Sequence, residues 1–216
     1  MPTVFERCFA YLMVHEVAAD PLDARCWSTG LVGAGDFIVP HDGLDMSTED
    51  GGNWTGGSPG KGTLGGTRWG IDTASYTDAV ACLPATLRGC YPALVRDLSI
   101  NQARDLCRFA YWQKVHGDDL PPRLALFMLD AAFNDGAGTA IGWLQSAVAL
   151  KVDHIFGPLT LSAVQAEIAA HGADGLAMDV LAERIDYMGR LPNWSRYGLG
   201  WSRRFVRLAF QAADLR

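Results

Sequence analysis

Two stretches decide how the chain reads: 5-FERCFAYLMVHE-16, and the glycine-rich run 50-DGGNWTGGSPGKGTLGGTRWGI-71 that answers it. Phe5, Cys8, Phe9, Leu12 and Met13 follow the i, i+3, i+4, i+7, i+8 spacing of one buried helix face. Glu16 is the next position on that stripe. A carboxylate at the end of an apolar stripe is partly desolvated, which favours its neutral form. The negative end of the helix dipole pushes the same way. A neutral carboxylic acid near neutral pH can protonate a leaving group. The plainer alternative is a helix-terminal glutamate turned out to water.

The chain has 216 residues, enough for one domain with two lobes. It is 49% hydrophobic and 19% charged, the balance of a globular protein. A net charge of −6 does not suggest a nucleic-acid partner. A sugar polymer remains open to an acidic protein, because that contact rests on aromatic stacking and hydrogen bonds. Seven tryptophans and six tyrosines suit it. The five cysteines, Cys8, Cys26, Cys82, Cys90 and Cys107, show no zinc spacing. Cys8 reads as a small buried hydrophobe. Cys82 and Cys90 flank a short loop and are expected as free thiols, with pairing in an oxidising space as the alternative. The first residues, MPTVFERCFAYLM, carry an acid and a base inside their apolar run and no small-residue cleavage site, so no secretory signal is expected. No apolar run reaches the length of a membrane span, so no membrane insertion is expected.

Residues 17–49 are the least regular part, with short strands expected near Trp27 and at 37-FIV-39. Residues 50–70 hold nine glycines in twenty-one positions, which permits positive φ and close backbone approach but no long helix. Asn53, Trp54, Thr67, Arg68 and Trp69 interleave with them, so the run reads as a lobe of loops and a β-hairpin rather than a flexible linker. Beyond Thr73 the pattern is helical. Helices are expected over 74–81, then from a Ser99 cap with Ile100, Ala103, Leu106, Cys107, Ala110 and Tyr111 inward. Further helices are expected from Arg123 to Asn134, over 138–149, over 158–170, over 175–190 with Asp174 as cap, and over 201–213. The sequence RLALFMLDAAFN is apolar nearly all round and predicts a buried spine, with Asp130 and Asn134 at i, i+4 on it. The inner face of 175–190 reads as Leu176, Val180, Leu181, Ile185 and Met188, and Trp194, Tyr197 and Trp201 as an aromatic loop.

An acid at the end of a buried helix, then a glycine-rich β lobe, then a helical lobe resembles the lysozyme-like fold. Such a fold is mainly α (α+β), with a cleft between its lobes. More narrowly, FERCFAYLMVHE, DGGNWTGG, GTLGGTRWGI, 111-YW-112, 120-LPPRLALFMLDAAFNDG-136 and 152-VDHIFGPLT-160 resemble, in order, the glycoside hydrolase family 108 lysozymes of phages and bacteria. The family's Thr-x-x-Gly-Ile motif is met by Thr67, Gly70 and Ile71. The C-terminal part resembles the peptidoglycan-binding module usually fused to these enzymes. That module's Asp-Gly-x-x-Gly-Pro-x-Thr turn is met at Asp153, Gly157, Pro158 and Thr160, and its closing Gly-x-Gly-Trp-x-x-Arg at Gly198, Gly200, Trp201 and Arg204. The division implied is a catalytic part over 1–122, with an insertion at about 17–48, and a helical part over 123–216.

The resemblance puts the family's catalytic glutamate on Glu16. Here the family's Glu-Gly-Gly-Tyr is Glu16-Val17-Ala18-Ala19, and some thirty extra residues precede Asp50. Counting back from Trp54 instead reaches His41, or Asp42 with one gap. Glu49 is a third candidate. Glu16 is preferred because a helix places it at a buried boundary. The resemblance gives Asp50 and Thr67 the role of base or electrostatic stabiliser of the attacking water. Trp54, Trp69, Tyr111 and Asn134 are candidate sugar contacts, each with a core role as the alternative. The implied activity is cleavage of the β-1,4 bond between N-acetylmuramic acid and N-acetylglucosamine in peptidoglycan. It calls for no metal and no organic cofactor. The expected protein is a monomer made in the bacterial cytoplasm and released to the wall through a holin-made pore. A wall-binding or phage structural protein without catalysis, and a lytic transglycosylase, are the alternatives.

Overall fold

A computed structural model describes residues 2–16 and 44–215, the side chains of His15 and Glu16 excepted. The expectations at Trp27, 37-FIV-39, His41 and Asp42, and the thiol of Cys26, lie outside the described residues, as does the side chain of Glu16. The chain forms two compact units, Met1–Ala110 and Tyr111–Arg216. The fold is mainly α, with one small antiparallel sheet among the described residues.

Unit 1 begins with α1, Val4–Glu16. Thr3 and Glu6 start it with a reciprocal cap: Thr3 N donates to Glu6 Oε2 at 2.7 Å, and Glu6 N donates to Thr3 Oγ1 at 3.2 Å. The expected stripe is core: Phe5, Cys8, Phe9, Leu12 and Met13 are all buried. Burial pushes the Cys8 thiol up to about 12, so it is an inert apolar filler. The sheet consists of β1 (Leu44–Asp45), β2 (Thr67–Arg68) and β3 (Ile71–Asp72). Thr67 pairs with Asp45 on one side and Asp72 on the other.

The β2–β3 turn explains the Thr-x-x-Gly-Ile spacing. Trp69 and Gly70 link the strands with φ of 55° and 77°, the two successive positive values of a two-residue type I′ hairpin. Glycine is favoured at the second position because it carries no Cβ to clash. Trp69 occupies the first at a cost of about 1–2 kcal/mol. Its burial, and an indole N–H that donates to Leu98 O at 2.8 Å, offset that cost.

Asp72 then caps α2 (Thr73–Ala81), its Oδ1 accepting from Ser75 N at 2.7 Å. The short α3 (Ala85–Arg88) follows. Ser99 caps α4 (Ile100–Leu106) in a full capping box with Gln102, and Ile100, Ala103, Leu106, Cys107 and Ala110 face inward as their spacing predicts. Tyr111 is only half-buried. From Cys107 to Trp112 the helix widens to π geometry.

Unit 2 is a helical bundle. Its spine, α5 (Pro122–Asp135), buries every residue from Leu124 to Ala132. Around it lie α6 (Ala137–Ala147), α7 (Pro158–His171), α8 (Ala173–Gly189) and α9 (Trp194–Ala212). Three expectations are corrected here. Asp174 does not cap α8: Gly172 stands at the cap, and Asp174 sits in the first turn, ion-paired with Arg123. Ile185 is exposed, because the buried ridge of α8 steps by four through Leu176, Val180, Arg184 and Met188. Trp194, Tyr197 and Trp201 are not a loop but the opening turns of α9. At Gly198, buried among them, a Cβ would lie 2.6 Å from the Trp194 ring, so the missing side chain lets indole and backbone meet.

No helix of the described residues is long and apolar enough to cross a membrane. Cys8, Cys82, Cys90 and Cys107 are free thiols.

Candidate active site

In the glycine-rich lobe, the backbone runs through closely spaced turns with almost no apolar side chains, so something polar must hold it. Asn53 does so. Its side chain is fully buried. Nδ2 donates to Ser47 O at 2.9 Å, and Oδ1 accepts from Thr67 Oγ1 at 2.6 Å. Its backbone oxygen accepts from Gly65 N and Gly66 N at 2.9 and 3.1 Å. One residue therefore fastens the segment before the lobe, the lobe's return strand and β2. Because it is buried, each of these bonds costs more to lose than an exposed one.

Two of the three residues read as catalytic are knitted into this device. Asp50 starts the short 3₁₀ turn Gly51–Asn53, Oδ1 accepting from Gly52 N at 2.9 Å. This is the turn-capping role weighed as its alternative, and it leaves an exposed carboxylate held in one orientation. Thr67, half-buried on β2, spends its hydroxyl proton on Asn53 and keeps lone pairs that can accept from water. Both meet at Asn53: its backbone N–H donates to Asp50 O at 3.3 Å, and its side-chain Oδ1 accepts from Thr67 Oγ1. Glu49 is exposed, its backbone N–H donating to Ser47 Oγ at 3.4 Å. Glu16 ends α1, where the apolar stripe places its backbone.

The expected sugar contacts separate. Trp54 is half-exposed, its indole N–H donating to Thr48 O at 3.2 Å, so one edge is anchored while ring surface stays open. Trp69 is corrected to core: buried, hydrogen-bonded to Leu98 O, with the Arg68 guanidinium 5.2 Å from its ring centre. Tyr111 packs against Phe133, ring centres 5.0 Å apart. Asn134 is exposed, and Nδ2 turns back to Asp130 O at 2.8 Å, a helix-local bond.

Asp130, one helical turn earlier, belongs to a buried charge cluster. Arg184 Nη1 donates to its Oδ2 at 2.6 Å, and Arg204 Nη2 to its Oδ1 at 2.5 Å. Burial alone would raise the Asp130 carboxyl, but the Arg204 and Arg184 charges outweigh it and hold the carboxyl well below the ordinary range. Asp135 shares Arg184, with Nη2 2.8 Å from its Oδ2. For Asp135 the balance tips the other way: burial pushes the carboxyl up, against the pull of Arg184 and with the help of the Asp130 charge. Arg204, the last residue of the closing motif, is therefore a structural counter-ion of the spine.

The 152–158 turn is architectural too. Gln145, buried on α6, donates from Nε2 to Asp153 Oδ1, Ile155 O and Thr160 Oγ1, at 2.7, 3.1 and 3.1 Å. Its Oε1 accepts from the N–H groups of Asp153 and His154, both at 3.0 Å. Sequence reasoning did not find the hub role of Asn53 or Gln145, nor the part of Arg184. A buried amide facing backbone leaves no spacing signature, whereas Arg184 could have been found as the charged residue on the four-step ridge from Leu176 to Met188.

Comparison with known proteins fits this architecture. Residues 41–136 match the model of the family described as Glycosyl hydrolase 108. That span takes in the Asn53 lobe, Asp50, Thr67 and the α5 spine, and begins after Glu16. Among curated proteins none matches. A solved structure titled "Structure of Brucella abortus SagA" is similar, with 28% identity, a TM-score of 0.58, and coverage of 71% of this chain and 83% of that one. Over residues 41–136 the chain is thus similar to the glycoside hydrolases of family 108, and its fold is mainly helical and lysozyme-like.

Proposed function

We propose that the chain is a muramidase that cleaves the β-1,4 bond between N-acetylmuramic acid and N-acetylglucosamine in peptidoglycan. The observation that carries the reading is the match of residues 41–136 to a glycoside hydrolase family over the lobe that Asn53 rigidifies. Glycoside hydrolysis needs an acid for the leaving oxygen and a second group for the water or the oxocarbenium-like state. Glu16 is the proposed acid, with Asp42 and Glu49 as the positions to test beside it. Asp50 and Thr67 are the second group. A carboxylate already fixed by Gly52 N and a hydroxyl already fixed by Asn53 need no reorganisation when charge develops. Trp54 and Tyr111 offer ring surface to the sugar. The unit Tyr111–Arg216 is proposed to hold the wall. Release by a holin, and action as a bacteriolytic endolysin, belong to the same proposal.

The test is purified peptidoglycan incubated with the protein, followed by reducing-end assay and mass spectrometry of the soluble fragments. New reducing ends on N-acetylmuramic acid support the reading. Anhydro ends turn it into a transglycosylase, and an undigested wall that retains the protein turns it into a wall-binding protein.

A further inference from the structure

Unit 2 carries an apolar face that its own core does not use. Along α9 and its C-cap, the exposed side chains of Leu199, Val206, Phe210 and Ala213 fall at i, i+7, i+11 and i+14, one stripe of the helix. On α8, Met178, Ala182 and Ile185 make a second exposed stripe at i, i+4 and i+7. Between the two helices runs a groove of about 450 Å³, with Phe127 of α5 and the small side chains of Ala177, Ala209 and Ala212 in its lining. Single apolar residues on a surface need no explanation, but a ridge of them beside a groove of the same character does. Phe210, 76% exposed, is the most prominent of the ridge.

The charges bordering this face narrow its occupant. Counted in helical steps, Asp179 and Glu183 lie on the flank of α8 turned away from Leu181 and Ile185, and so away from the groove. Asp186 lies on the same flank but already holds Arg190. Arg203 and Arg207 lie on the flank of α9 turned away from the groove. Asp179, Glu183, Arg203 and Arg207 make no ion pair among the described residues. The apolar face is thus bordered by acid on one side and base on the other, each pair spaced i, i+4. A two-fold axis along the groove lays α9 of one copy, antiparallel, over α8 of the other. The Phe210 ridge then meets the alanine-lined groove, and the arginine flank meets the acidic flank. Every contact occurs twice, because one patch holds both ridge and groove, both base and acid. An anionic lipid surface would be drawn by the arginines and opposed by the acids beside them, so a face of two signs suits a copy of itself better.

We propose that the α8–α9 face is a self-association surface through which two copies of this chain form a two-fold dimer, in place of the monomer expected from sequence. The inference stands apart from the hydrolase reading.

The experiment is sedimentation velocity of the full chain over about 1–100 μM, where modest interfaces assemble. Wild type should pass from monomer to dimer across this range. Phe210→Ser, a change at an exposed side chain that should leave the circular dichroism of the bundle unaltered, should stay monomeric. A pair of charge-reversed chains makes the stricter test. Arg203→Glu with Arg207→Glu leaves both flanks acidic, and Asp179→Lys with Glu183→Lys leaves both basic. Either chain alone should dimerise roughly tenfold more weakly or worse. An equimolar mixture should regain the dimer, since each contact across the axis again joins opposite signs. A wild type that is still monomeric at about 100 μM overturns the proposal. So does a dimer indifferent to Phe210→Ser, or a mixture no tighter than its components. A monomer that floats with vesicles containing phosphatidylglycerol, and ceases to in Phe210→Ser, assigns the face to a membrane and overturns the dimer as well.

Discussion

Asn53 in the glycine lobe and Gln145 beside the 152–158 turn are the same device in two places. Each is a buried side-chain amide that spends its donors and acceptors on a turn too poor in apolar groups to hold itself. Their surroundings differ. The Asn53 turns present an exposed carboxylate, a hydroxyl with free lone pairs and a half-open indole. The Gln145 turn consumes its own polar groups: Asp153 Oδ1 receives both Gln145 Nε2 and Ile155 N, and Thr160 is buried. Motifs of similar look therefore arise from different pressures. One lobe is braced and leaves polar groups open to solvent, while the other turn is braced so that α6 and α7 stay joined.

The comparison can be broken most forcefully at the spine. Asp130→Asn should destabilise unit 2 by about 3–5 kcal/mol, since Arg184 keeps a buried charge with its main partner gone; urea melts followed by circular dichroism measure it. Gln145→Leu and Asn53→Leu should each cost about 2–3 kcal/mol in the same melts, through buried groups left unsatisfied. The two should part in function. At a temperature where both variants are folded, Asn53→Leu should lower wall hydrolysis roughly tenfold or more by loosening Asp50 and Thr67, and Gln145→Leu should leave it near wild type. Equal losses would mean that the two braces serve one purpose.

Acid sharpens the contrast. The folded Asp130 carboxyl lies below its unfolded value, near 3.9, so its contribution is complete above about pH 4 and is lost as pH falls. Asp135, raised by burial, works in the opposite sense: it opposes folding once pH exceeds the unfolded value and relaxes as the folded carboxyl takes up its proton. Melting temperature should drop below about pH 4, and Asp130→Asn should flatten that slope. The smallest effect is expected at His154, which stands at φ 64° where the turn this segment resembles has glycine. His154→Gly should relieve left-handed strain but give up the Nδ1 contact to Gly138 O at 3.0 Å, a net change under about 1 kcal/mol in the same melts.

Much of this fold was legible because helices announce themselves through spacing. The α1 stripe, the Ser99 capping box and the all-round apolar α5 follow directly from residue order. What was not legible had partners that sequence does not display. Trp69 looked like a sugar platform because hairpin geometry, not composition, turns it inward onto Leu98 O. Ile185 looked buried until Arg184 claimed the ridge, since only an ion pair with Asp130, 54 residues away in sequence, justifies an arginine there. The start of α9 was hidden by Gly198 and Gly200, which read as loop until the Trp194 ring is seen lying against Gly198. At the candidate site, the types Asp50 and Thr67 could be named from the motif. Their meeting at Asn53, through a backbone bond to Asp50 and a side-chain bond to Thr67, could not.

The measurement that bears most directly on the account is mass spectrometry of fragments released from purified peptidoglycan by wild type, Glu16→Gln, Asp42→Asn and Glu49→Gln, each checked for folding. Wild type should release fragments with reducing N-acetylmuramic acid, and Glu16→Gln alone should lose roughly a hundredfold or more of that activity. Undiminished cleavage by Glu16→Gln would return α1 to a packing helix and move the acid to whichever other variant fails. No cleavage by wild type would contradict the hydrolase reading itself.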